Sequence, residues 1–149
     1  MSASSISRFK RWLVWLATAG AATFVVLQFF TVERTNPPVI SEVKAPGEVR
    51  EILRRSCYDC HSHETRWPWY SYVAPLSWFV AEHVEHARGD LNFSDWPELD
   101  FEAQEHAFED IREEVGEGEM PLASYLVMHP SARLSDGERE LLLRWAGGP

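Results

Sequence analysis

The chain predicts an all-α protein, with one N-terminal helix long enough to cross a membrane followed by a small helical domain. Three observations carry this reading. Residues 12–30 run for 19 positions without a charge. Further on, apolar residues recur at three- and four-residue spacing, and the alternation that marks a half-buried strand is absent. The prolines and glycines fall mainly between these stretches.

Residues 1–11 form a basic N-terminus carrying Arg8, Lys10 and Arg11 and no acidic residue. Residues 12–31 are read as the membrane anchor. At 1.5 Å per residue the uncharged run reaches about 28 Å, close to the hydrocarbon thickness of a bilayer. Flanking basic residues stay on the cytoplasmic side, and Trp12 and Trp15 fall where indoles favour the interface. A cleaved secretory signal is the competing reading. It calls for a shorter apolar core and a small-residue cleavage site. Here the run ends Val26-Leu27-Gln28-Phe29-Phe30-Thr31-Val32, and the small residues 17–22 lie inside it. An uncleaved single-pass anchor in the cytoplasmic (inner) membrane is expected, and either reading exports residues 32–149. Residues 32–45, with Thr35-Asn36-Pro37-Pro38, form a stiff linker.

Residues 46–149 make one domain, since about 118 exported residues suffice for one core and not two. A first helix starts near Pro46 with Val49, Ile52, Leu53 and Ser56 on one face. A second covers residues 77–88, with Phe79, Val80, Val84 and Ala87 as its apolar stripe and Gly89 as its stop. A third covers residues 101–115, with Phe101, Phe108, Ile111 and Val115 at helical spacing. A fourth opens on the capping box Ser135-x-x-Glu138 behind Leu134, presents Leu141, Leu142 and Trp145, and stops at Gly147-Gly148.

Where the first helix ends stands Cys57-Tyr58-Asp59-Cys60-His61, a C-x-x-C-H pattern that signals c-type haem attachment. Two thiols at this spacing can each form a thioether to one vinyl group of a single porphyrin. The adjacent histidine then sits under the iron as proximal ligand. A structural zinc site needs four ligands, and there is no second cysteine pair. A thioredoxin-like dithiol needs a βαβ context that the flanks do not offer. With only two cysteines in 149 residues, a disulfide framework is excluded. One haem c, bound through Cys57 and Cys60, is the cofactor these residues imply, and four helices around it resemble the class I cytochrome c plan.

The sixth iron ligand has several candidates: Met120, Met128, His63, His83, His86, His106 and His129. Met120 stands in Gly116-Glu117-Gly118-Glu119-Met120-Pro121, outside any apolar stripe, 59 residues after His61. Methionine is ordinarily core filler; a Gly-rich loop closed by proline instead presents a thioether to a metal. His129, before Pro130, is the best histidine alternative. His63 is too near His61 in sequence to reach the opposite haem face, His83 and His86 share a helix edge, and His106 lies among acids. Arg66, Trp67 and Trp69 follow the motif in an aromatic run. Indoles pack well on a porphyrin, and an arginine or indole N–H can bond a propionate; ordinary core and turn residues are the competing reading.

On these residues the chain resembles the bacterial haem-binding domain family, short membrane-anchored or exported proteins built around a single C-x-x-C-H. The resemblance runs from about Ile52 to Trp145. It is carried by Cys57-Tyr58-Asp59-Cys60-His61-Ser62, Glu64-Thr65-Arg66-Trp67-Pro68-Trp69-Tyr70, Ala74-Pro75, Leu91-Asn92-Phe93-Ser94-x-Trp96, Gly118-Glu119-Met120-Pro121 and Tyr125-x-x-x-His129-Pro130. Members usually continue Met-Pro with a second proline, where this chain has Leu122. The resemblance implies one covalent haem and a cytochrome c-like function.

Residues 32–149 hold eleven basic against 23 acidic residues, a balance of −12. That charge repels nucleic acid and anionic lipid and suits a basic redox partner, although a solvated acidic surface accounts for it equally well. The expected function is single-electron transfer by a membrane-anchored haem protein facing the periplasm. No catalyst is expected. A ligand-binding sensor or weak peroxidase with a displaceable sixth ligand is the alternative, and a haem that only staples a binding module is a third.

Overall fold

The computed structural model of the chain describes residues 3–40, 42–96 and 101–147, and side chains from residue 8 onward within those ranges. The described residues are all-helical, with no strand among them. The helices are α1 (Ala3–Leu27), α2 (Gly47–Ser56), α3 (Tyr58–His61), α4 (Leu76–Asp90), α5 (Phe101–Glu117), α6 (Ala123–Met128) and α7 (Asp136–Ala146). Residues Trp69–Tyr72 and Pro130–Ala132 form 3₁₀ turns. The Ala74–Pro75 and Met120–Pro121 peptides are cis.

Two compact units divide the chain. One comprises residues 1–33 and 68–81. Its α1 contains a 20-residue stretch, Arg8–Leu27, with mean hydropathy 1.2. The stretch is long and apolar enough to cross a bilayer or to serve as a signal sequence. Thr18 returns its hydroxyl to the carbonyls of Val14 and Trp15, which removes the one polar group near the middle of that stretch from competition for water.

The other unit comprises residues 34–67 and 82–149 and holds the core. Val49, Ile52 and Leu53 of α2 pack with Ala107, Ile111 and Val115 of α5 and Leu142 and Ala146 of α7. The spacing that predicts α2, α5 and α7 is thus the spacing of their buried faces. Tyr58 stacks on Phe93, which stacks on Trp96; Trp96 meets Phe108 edge-on, and Phe108 meets Trp145. This aromatic column ties the segment after α4 into the core.

Several boundaries differ from the sequence expectation. Helix α4 passes through Gly89 to Asp90, because that glycine is not in the left-handed conformation a stop requires. Phe79 of α4 and Phe101 at the start of α5, expected on buried stripes, are exposed. Phe101 precedes the first turn that touches the core, and Phe79 lies in the N-terminal part of α4 that belongs to the other unit. Helix α6 lacks any fully buried residue, so no apolar periodicity announces it. Of the two glycines expected to end α7, Gly147 is the C-cap and Gly148 lies outside the described residues.

Candidate functional site

Leu53 ends its turn of α2 with its carbonyl accepting from Cys57 N–H, and the Cys57 carbonyl then accepts from the N–H groups of Cys60 and His61. The motif is therefore one short helical turn, and both cysteines are free thiols. Burial pushes the Cys57 thiol up to about 12 and the Cys60 thiol to about 11. Thiols held this far up are protonated near neutral pH, the opposite of a redox-active dithiol, which needs a stabilised thiolate.

The His61 ring is anchored from behind. Its Nδ1–H faces the carbonyl oxygens of Ala87 at 3.0 Å and Leu91 at 3.1 Å. Two acceptors fix the proton on Nδ1 and leave the Nε2 lone pair for a metal, the arrangement ligating histidines use. Burial keeps the imidazole below its ordinary value of 6.5, hence neutral. Both carbonyls come from the end of α4 and the residue just after it. Phe93 N–H also donates to the His61 carbonyl at 2.8 Å.

Arg88, which sequence reading passes over, organises the loop after the motif. Its guanidinium donates to Ser62 O, Thr35 O, Asn36 Oδ1 and Thr65 Oγ1 at 2.8–3.0 Å. One residue thereby joins the linker, the post-motif loop and the helix that holds His61. His63 has both ring nitrogens engaged, Nδ1–H with Pro38 O and Nε2 accepting from Asn92. Asp59, between the cysteines, accepts from Arg66 N–H, Arg66 Nε–H and the Tyr125 hydroxyl. Tyr125 in turn stacks on His129 at 4.2 Å. For Asp59 and Tyr125 the only sequence signal is their position inside the family-like blocks, and Arg88 lies outside all of them.

His61 and Cys57 line a cavity of about 460 Å³ together with Met120. Met120 reaches it through a defined turn. Helix α5 ends at Glu117, Gly118 takes the left-handed conformation at φ 81°, and Met120 N–H returns to Glu114 O at 3.1 Å. A Cβ on Gly118 would lie 3.2 Å from Arg139 Nη1, and that guanidinium donates to Val115 O. Glycine is thus required for conformation, and any side chain there would also have to shift the Arg139 guanidinium by a few tenths of an ångström.

The remaining walls are apolar, with Leu53, Phe93, Ile111 and Leu142 among them, and an acidic rim of Asp90, Asp110, Glu113 and Glu114. Ser56 contributes a buried hydroxyl with no hydrogen-bond partner. An imidazole lone pair and a thioether on one apolar cavity, with a free thiol beside them, form a donor set that fits haem iron and its porphyrin. Volumes of roughly 300–1,000 Å³ are usual for cofactor clefts.

The other candidates lie elsewhere. Cys60 neighbours the cavity in sequence without lining it. Arg66 and His129 line a second cavity of about 340 Å³, and Arg66 is paired with Asp59. Met128 is half exposed, His106 stands at the cavity rim near Asp110, and His86 bonds the Glu82 carbonyl of its own helix. Trp67 is partly buried and keeps an indole N–H without a partner, while Trp69, in the other unit, is 70% exposed. No cluster of three or more histidine, cysteine or acidic ligands occurs among the described residues.

A family model described as a haem-binding domain matches residues 22–147. No curated protein and no solved structure gives a match.

Proposed function

The chain belongs to the haem-binding domain family, and from that premise we propose that it is a membrane-anchored c-type cytochrome that carries single electrons. The observation that carries the reading is the shared cavity of Cys57, His61 and Met120. Cys57 and Cys60 are the proposed thioether sites, His61 Nε2 the proximal ligand and Met120 the distal one. The haem iron supplies a one-electron couple, and thioether ligation raises its potential relative to two histidines.

The protein's own contribution is to hold these groups still. The carbonyls of Ala87 and Leu91 keep His61 in the ligating tautomer, and Arg88 fixes the loop behind it. The Gly118 turn holds Met120 at the same cavity. Arg66 orients Asp59 between the two cysteines. With His61 and Met120 both holding the iron, no position would remain for a substrate, which would favour electron transfer over catalysis. Helix α1 is the proposed anchor, with the basic end in the cytoplasm and the haem on the periplasmic side. The acidic surface suits a basic partner protein.

An optical spectrum of the full chain made with a cytochrome c maturation system tests this. Expected are covalent haem that survives acid-acetone extraction, a low-spin spectrum with the weak far-red sulfur-to-iron band, and indifference to carbon monoxide. A high-spin haem that binds carbon monoxide rapidly would replace electron transfer by ligand sensing or peroxide chemistry.

A further inference from the structure

Residues 68–81 contain no charged side chain and five aromatic ones, in an exported part with a balance of −12. Their polarity is inside out. Ser71 and Ser77 are buried with Ala74, while Trp69, Tyr72, Leu76 and Phe79 stand 70, 59, 51 and 50% exposed. Two of the four lie in the 3₁₀ turn and two in the first turn of α4, within eleven residues of one another. A surface in water is built the opposite way. Soluble monomers rarely leave a contiguous face of this kind uncovered.

The same segment belongs to one compact unit with α1. The Gln28 side-chain amide pairs with the Ala74 backbone in both directions, Ala74 N–H to Oε1 at 3.0 Å and Nε2 to Ala74 O at 3.2 Å. Trp78 Nε1–H donates to Phe30 O at 2.8 Å. These contacts fall where the apolar run of α1 ends. Gln28, which reads from sequence as a polar residue the helix merely tolerates, is thus a dedicated bracket. The polar groups of the bracket satisfy one another, as an environment poor in water demands. Phe29 and Phe30, 81 and 62% exposed, extend the apolar surface.

We infer that residues 68–81 are a second membrane contact, seated at the headgroup–acyl boundary of the leaflet where α1 emerges. Trp69 and Tyr72 are its interfacial anchors, and Leu76 and Phe79 dip toward the acyl chains. Tryptophan and tyrosine favour that depth, and a short apolar face without charge inserts there with no need of anionic lipid. The inference rests on the proposed anchoring by α1, which alone sets the depth of the bracket.

The test uses the full haem-loaded chain in nanodiscs of phosphatidylethanolamine and phosphatidylglycerol. Tryptophan is replaced by 5-fluorotryptophan, and the fluorine resonances of positions 12 and 69 are assigned with Trp12→Phe and Trp69→Phe. Discs with and without lipid spin-labelled near the top of the acyl chain are compared, then exposed to a soluble gadolinium chelate. Expected is loss of most of the intensity of both resonances with labelled lipid and protection of both from the chelate. Loss at position 12 alone, with position 69 open to the chelate, would overturn the inference and leave the anchor standing. Position 69 protected from both agents would also overturn it, since a protein partner or second copy would then cover the face. A chain that fails to enter discs at all would overturn the anchor together with the inference.

Discussion

At the scale of single residues, the proposed iron site depends on two side chains delivered to one cavity by separate segments of the chain. His61 arrives already oriented, because its Nδ1–H is committed to the carbonyls of Ala87 and Leu91. Met120 arrives by a turn. Met120→Ala is expected to remove the far-red band, open the iron to carbon monoxide and lower the potential by on the order of 100 mV, within the ~0.8 V span that axial ligands cover. Met128→Ala is the control and leaves spectrum and potential unchanged. Arg88 contributes through position alone. Arg88→Gln strands acceptors at Thr35, Ser62 and Thr65. A loss of roughly 2–3 kcal/mol in denaturant unfolding is expected. The sequence singles out His61 by its C-x-x-C-H setting and Met120 by its Gly-rich loop, and the two line one cavity. It does not single out Arg88, Asp59 and Tyr125, because an arginine, an aspartate and a tyrosine announce nothing until the chain brings their partners to them.

At the scale of elements, α5, α7 and the turn between α5 and Met120 act together. Gly118 at φ 81° is the hinge of that turn. Gly118→Ala puts a side chain into the left-handed region and against Arg139, at a cost of about 1–2 kcal/mol. It is expected to lower the unfolding midpoint and weaken the far-red band together. Helix α7 opens on the capping box expected from Ser135 and Glu138, and the same Glu138 carboxylate also takes Arg55 Nη1–H at 2.8 Å. Arg55, then the Ser135 amide and hydroxyl, hold that carboxyl down to about 2 from an ordinary 4.5. A depressed carboxyl stabilises the fold fully above about 4.5, and the contribution is lost as pH falls from there to about 2. Thermal midpoints across that window are expected to fall more steeply for the unaltered protein than for Glu138→Gln. The helices with a buried stripe were legible for the reason that burial imposes the period. Helix α6 was not, since none of its side chains is fully buried.

At the scale of the whole molecule, the cavity is lined on its α4 and α5 sides by Asp90, Asp110, Glu113 and Glu114, and the part after Thr31 carries a balance of −12. Electron exchange with a small cationic complex is expected to outpace exchange with an anionic one of similar driving force. The ratio is expected to fall toward one as salt rises to about 1 M, where the Debye length is about 3 Å. Stopped-flow traces at several ionic strengths check this, and a ratio independent of salt would mean that the acids lie too far from the transfer route to matter. The all-helical class, the membrane-length helix and the haem-binding motif are properties of local pattern and composition, so the sequence by itself determined them. Which residues stand behind His61, that Met120 meets it on one cavity, and that Trp69 faces outward beside the end of α1 depend on contacts between residues 20 to 60 positions apart. Only tertiary structure decided those, because hydrogen bonds and packing at that separation leave no periodic trace in the chain.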